Sequence, residues 1–214
     1  MVVKILMSAL LFTAPADLLD QVQVNLTGLA GFEAEFSQAF VDSIRGKRIE
    51  EKGKFWASKD RKVRWEYRSP TQKLFVFDGN HAYFYEPKSH QVTVFEEFSQ
   101  STLVHIFDLL VGSAGLEKHF RAQLCEKDCA QLAAPGAIVL EMIPNKVIPN
   151  VQRILAKVDS TRKLLSDVWV MDPLGNRTEY SFRDLKASGK LETSFFSFEI
   201  PKGVSVLKAD TTQR

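Results

Sequence analysis

Apolar residues recur at every second position through most of this chain. Phe32-Glu33-Ala34-Glu35-Phe36 alternates cleanly, Val63 to Arg68 alternates without error, and so does Thr178 to Arg183. A period of two marks a strand with one covered face and one wet face. Leu74 to Phe77 is apolar on both faces, which predicts a strand covered on both sides. Residues 51–57, 82–86, 91–95, 120–124, 137–143, 151–158 and 164–171 read as further strands. Ser69-Pro70, Asp78-Gly79-Asn80, Glu86-Pro87, Pro144-Asn145 and Pro173-Leu174-Gly175-Asn176 punctuate them as turns. Many short strands joined by tight turns predict a mainly β protein built on one antiparallel sheet, strongly curved or rolled into a barrel.

Two stretches change period. Residues 17–28 place Leu18, Leu19, Val22 and Leu26 on one helical stripe. Residues 101–111 read as a helix that stops at Gly112, with Thr102, His105 and Asp108 as its one polar edge. A helix that apolar must plug or cover something. It is either a lid over a greasy cavity in the curved sheet or an ordinary core helix, and the pattern alone leaves both open.

The first residues read differently. Lys4, the apolar run Ile5 to Phe12 and the small residues Thr13-Ala14-Pro15-Ala16 read as an export signal at cleavage spacing, in preference to a buried first strand or helix. The run is shorter than the ~20 residues a membrane span needs. The expected organisation is therefore a signal peptide over residues 1–16 and one domain over 17–214, delivered to the periplasm, with no cysteine near the cut to carry a lipid anchor.

Composition narrows the chemistry. A net charge of +2 on 214 residues does not make nucleic acid the default partner. Residues 45–68 hold ten Lys/Arg against four Asp/Glu, either the solvated face of several strands or a patch for an anionic surface. Phe outnumbers Trp and Tyr together, 16 against 3 and 4, so the chain has much purely apolar surface to bury or to offer a greasy ligand. There is no nucleophile elbow, phosphate loop or HExxH pattern. His105 and Asp108 could pair on one helix face, but no Ser or Cys is placed to complete a triad, and such a pair is ordinarily a solvated one. Cys125 and Cys129 flank a three-residue loop where the 120–124 strand ends. In an oxidising compartment that spacing favours a local disulfide over a metal site, which lacks two further ligands.

The strand residues also carry a resemblance. Phe32-Glu-Ala-Glu-Phe36-Ser-Gln38, Gly53-Lys-Phe-Trp56, Val63-Arg64-Trp65-Glu-Tyr67, Pro70, Asp78-Gly79, Tyr83-Phe84-Tyr85-Glu-Pro87, Gln91-Val92 and Phe196-Ser-Phe198-Glu-Ile-Pro201-Lys-Gly203-Val204 stand in the order found in the periplasmic outer-membrane lipoprotein carrier family, LolA. The chain resembles that family over most of its length. The resemblance implies an incomplete antiparallel β-barrel with a helical lid over a hydrophobic cavity, lined here by Phe36, Phe55, Val63, Trp65, Tyr67, Phe75 and Phe77. It implies a lid that includes Leu103, Ile106, Phe107 and Leu110, and a basic latch after Trp56, with Lys59 first by position and Arg64 second.

It implies a periplasmic chaperone, acting as a monomer, that takes lipoprotein acyl chains from an inner-membrane lipoprotein-releasing ABC transporter to an outer-membrane acceptor lipoprotein. No cofactor, metal, nucleic acid or reaction is involved. Three features depart from the family pattern: Ser58-Lys59-Asp60 lacks the usual proline, Tyr83 stands where Trp is common, and the cysteine pair is extra. A lipid-binding sensor and an enzyme on the same scaffold are the rival readings. A sensor calls for a second domain, and an enzyme calls for polar groups converging inside the cavity.

Overall fold

The computed structural model describes residues 14–96, 98, 108–109 and 115–209. Pro15 opens helix α1 (Pro15–Thr27), a position where its missing N–H leaves no bond unmade. Leu18, Leu19, Val22 and Leu26 are buried on the predicted stripe. The chain then runs through β1 (Gly31–Val41), β2 (Arg48–Ser58), β3 (Val63–Ser69), β4 (Lys73–Phe77), β5 (Ala82–Glu86) and β6 (Gln91–Phe95). A short helix α2 (Leu116–His119) leads into β7 (Phe120–Leu124), β8 (Ala137–Pro144), β9 (Arg153–Asp159), β10 (Leu165–Met171), β11 (Arg177–Ala187) and β12 (Ser205–Ala209).

All twelve strands join one curved, unclosed sheet in the order β12-β6-β5-β4-β3-β2-β1-β11-β10-β9-β8-β7. Every pairing is antiparallel except β12 on β6, which is parallel. The predicted fold class is therefore the observed one. β12 and α2 were not legible in the sequence, and β1 and β2 extend further than the alternation suggested, to eleven residues each.

The inner face of the sheet carries the main core. Phe32, Phe36, Phe55, Val63, Trp65, Phe75 and Phe77 pack there with the α1 stripe, Phe98, Leu109 and Leu116. Gly53 lies on β2 opposite Tyr67 of β3. A Cβ there would collide with the Glu66 carbonyl and press on the Phe36 ring, so only glycine fits.

The outer face is covered in two places. After β11 the chain crosses behind β2–β5, setting Phe195 on Trp56 (ring centroids 5.3 Å apart) and Phe198 on Tyr83 and Tyr85 (5.5 and 5.6 Å). Val76 is buried on the outer side of β4, while Phe75 and Phe77 are buried on the inner side. That is why this strand reads as apolar throughout. Behind β8–β10, Leu132, Leu155 and Trp169 form a small second core with Cys125, Val139 and Met171.

Candidate functional site

The inner face is graded along the strands. At the end near α1 it is aromatic. Trp65 meets Phe55 and Phe36 edge-on at 4.9 and 5.1 Å, Phe55 leans on Phe32 and Phe182, and Phe98 closes over Phe75 and Phe77. All seven residues expected to line a cavity fall in this one cluster. Six are buried, and Tyr67 packs against them partly buried.

Further along, the same face turns polar. The Tyr67 hydroxyl donates to Gln38 Oε1 at 3.0 Å, and Lys73 Nζ lies 2.6 Å from Glu51 Oε1. Lys73 Nζ also sits 5.8 Å from the Tyr67 ring centroid, a cation–π contact. Burial pushes the Tyr180 hydroxyl up to about 12 and raises Tyr67 as well. Beyond this band the face ends in the directly paired Phe40 and Ile49, 41% and 45% exposed.

The aromatic end is closed by helices. Of the predicted lid helix, Asp108 and Leu109 are described. Both are helical and buried, with Leu109 in the main core. Leu103, Ile106, Phe107 and Leu110, like His105, lie outside the described residues. Asp108 is not the solvated edge residue expected from sequence: it is 8% exposed, and Arg61 Nη2 lies 2.6 Å from its Oδ1.

Arg61 stands in the β2–β3 turn, where Ser58 N–H donates to the Lys62 carbonyl and Arg61 N–H to that of Ser58. Its φ of 62° is left-handed, a conformation a non-glycine residue holds at a cost of about 1 kcal/mol or more.

Of the two latch candidates from sequence, Lys59 stands in this same turn and Arg64 on the adjoining strand β3. Lys59 is exposed, and its backbone N–H donates to the Ala30 carbonyl. Arg64 is on the outer face, where Nε donates to Glu66 Oε1 at 2.9 Å, Nη1 donates to the Phe195 carbonyl, and the guanidinium lies 5.1 Å from the Phe195 ring centroid. The sequence signal for Arg61 was weak. It is one of several basic residues in a turn whose backbone could not be foreseen, and Asp108 had a nearer partner by helical spacing.

Cys125 and Cys129 are joined, with Cα atoms 6.2 Å apart. Their loop leads into the segment that covers Trp169 from outside, where Arg153 holds both Glu141 and Asp128 at 2.9 and 2.7 Å. No three His, Cys, Asp or Glu side chains come together to hold a metal among the described residues. Nor is any helix among them long and apolar enough to cross a membrane.

An unclosed antiparallel sheet with an aromatic inner face held under helices defines a class of proteins suited to apolar ligands. The comparisons narrow this. The model of the family described as "Outer membrane lipoprotein carrier protein LolA" matches residues 27–199. An outer-membrane lipoprotein carrier protein of Chromohalobacter salexigens is 27% identical over 191 residues, spanning 88% of this chain and 86% of its own. One from Xanthomonas axonopodis pv. citri is 29% identical over 200 residues, spanning 91% and 90%. A crystal structure of an uncharacterized conserved protein from Thermus thermophilus shares the fold, with a TM-score of 0.56 at 13% identity over 91% of this chain and 98% of that one. The chain belongs to the LolA family of outer-membrane lipoprotein carriers.

Proposed function

We propose that this protein carries the acyl chains of lipoproteins across the periplasm on its aromatic inner face, from an inner-membrane transporter to an outer-membrane acceptor. The observation that carries the reading is the single cluster of Phe36, Phe55, Val63, Trp65, Phe75 and Phe77 beneath α1 and Leu109, in a member of the carrier family. Removable helical cover over such a face lets apolar chains replace apolar side chains at little net loss of burial.

The carrier is handed its cargo. Each buried methylene is worth ~0.8 kcal/mol, so three long acyl chains are held in a bilayer by roughly 30 kcal/mol. Non-covalent protein affinities rarely exceed ~20 kcal/mol. Loading must therefore be driven by the transporter, and release needs an acceptor that binds better.

In this reading the Arg61–Asp108 ion pair holds the cover shut. A charge-assisted hydrogen bond of this kind contributes ~1.5–3 kcal/mol, enough to bias opening and small enough for cargo to overturn. The protein acts alone as a monomer, after removal of its leader. Mass spectrometry of the protein purified from its native periplasm tests the whole reading. Co-purified triacylated lipoprotein is expected, and a cargo-free protein that also fails to accept lipoprotein from membranes in the presence of the transporter and ATP would refute it.

A further inference from the structure

The rim opposite α1 carries a feature that a turn does not require. In the β1–β2 tip, Asp42 Oδ1 accepts the N–H groups of Ile44 and Arg45 at 3.0 and 2.9 Å. In the β10–β11 turn, Asp172 Oδ1 accepts those of Leu174 and Asn176 at 2.8 and 2.9 Å. Both acids are thus folded back into their own turns, and each places an aliphatic residue two positions on at the tip.

The two tips are fastened together. Ser43 Oγ donates to the Leu174 carbonyl at 3.0 Å, and Ser43 N–H donates to Asn176 Oδ1 at 3.0 Å. The result is a braced fork whose outermost side chains, Ile44 and Leu174, are 79% and 70% exposed. Ser, Asn or Gly would form these turns as well, without exposing aliphatic surface. The strand directions bring the 144–152 turn to the same end of the sheet, with Val147 93% exposed beside Lys146. Exposed Arg45 and Lys47 follow Ile44 in the same tip. Arg45 reaches Asp42 only loosely, at 3.4 Å.

Aliphatic tips set among cations match one kind of surface, an anionic bilayer, whose interface accepts the aliphatics while its phosphates attract the bases. We propose that this rim is a membrane-docking edge, with Ile44 and Leu174 entering the interface of an anionic leaflet and Arg45 and Lys47 resting on its headgroups. Phe40 and Ile49 continue the apolar surface from the rim onto the inner face. The docking does not depend on what the inner face carries.

The test is co-sedimentation of the protein purified from its native host with vesicles of phosphatidylcholine, with and without phosphatidylglycerol. Binding is expected to the anionic vesicles and to fall as salt rises. Each basic residue near such a leaflet contributes about fivefold, so Arg45→Gln with Lys47→Gln should weaken binding by about 25-fold. Ile44→Ser with Leu174→Ser should weaken it by at least about tenfold. All four sites are exposed, so circular dichroism should be unchanged.

Equal binding to neutral vesicles, no binding to either kind, or variants that bind like the parent would overturn the proposal. So would a concentration-dependent dimer that the Ile44/Leu174 variant abolishes, since a second copy would then be the occupant. Co-purified acyl chains are read on the same variants. Their retention alongside lost docking separates the rim from the carrier reading, and their absence alongside normal docking leaves the rim standing.

Discussion

Arg61 holds a backbone that glycine would adopt without strain, and in return its guanidinium reaches the buried Asp108 carboxylate of the covering helix. Two substitutions separate these roles. Arg61→Gly relieves the strain and removes the pair, whereas Arg61→Leu removes the pair alone. Both should speed entry of a fluorescent apolar probe several-fold in stopped-flow mixing, while Arg61→Gly loses less stability. Unchanged entry rates in both would remove Arg61 from the latch role.

Glu33 on the outer face is a second residue with a readable charge. Lys186 first, then Lys54 and the Trp56 indole N–H, hold its carboxyl below the usual range against the opposing effect of burial. A depressed carboxylate stabilises the fold above its unfolded pKa, and that contribution is lost as pH falls through the folded value. Glu33→Gln should therefore lower stability by about 1 kcal/mol at pH 7, with Lys186 largely exposed to solvent. Urea titrations should show the difference shrinking below about pH 4, where carboxylates in the unfolded chain protonate.

Among elements, the disulfide loop is more than a hairpin tip. The bridge closes so few residues that it constrains the unfolded chain little. Replacing both cysteines with Ser should cost about 1–2 kcal/mol, mostly through looser cover over Trp169, seen as a red shift in its fluorescence. The C-terminal crossing contributes more. Phe196 is 1% exposed behind the sheet, and Phe196→Ala should lower the urea midpoint by the equivalent of about 3–5 kcal/mol.

These elements also show what the sequence could reveal. Strands such as Val63–Ser69 were legible because one face is buried and the other wet, so burial imposes the alternation directly. Ser205–Ala209 was not, because a parallel edge strand lying largely exposed has no burial pattern to impose. The aromatic residues of the inner face were legible for the same reason as their strands. Arg61 was not, because its role depends on a turn conformation and on a contact between segments far apart in sequence.

Taken as a whole, the sheet is two local meanders, β2–β6 and β7–β11, joined through β1. Neighbouring strands in each meander are joined mostly by short turns, but β1 must find β11, from Phe32 opposite Ala187 to Val41 opposite Arg177. Closing a loop of that length carries an entropic penalty that neither meander meets internally. Pulse-labelled hydrogen exchange during refolding should therefore find the amides bridging β1 and β11 protected last, after those within β3–β5. A chain delivered N-terminus first meets this order as a hazard. From the moment β1 pairs with β2 until residue 187 arrives, its other edge stays open over eleven residues, Gly31–Val41, with Phe32, Phe36 and Phe40 along it. An open edge of that kind is a template for another unfinished chain. Crowding of newly made molecules, rather than weakness of the finished fold, is thus the condition under which this protein would aggregate.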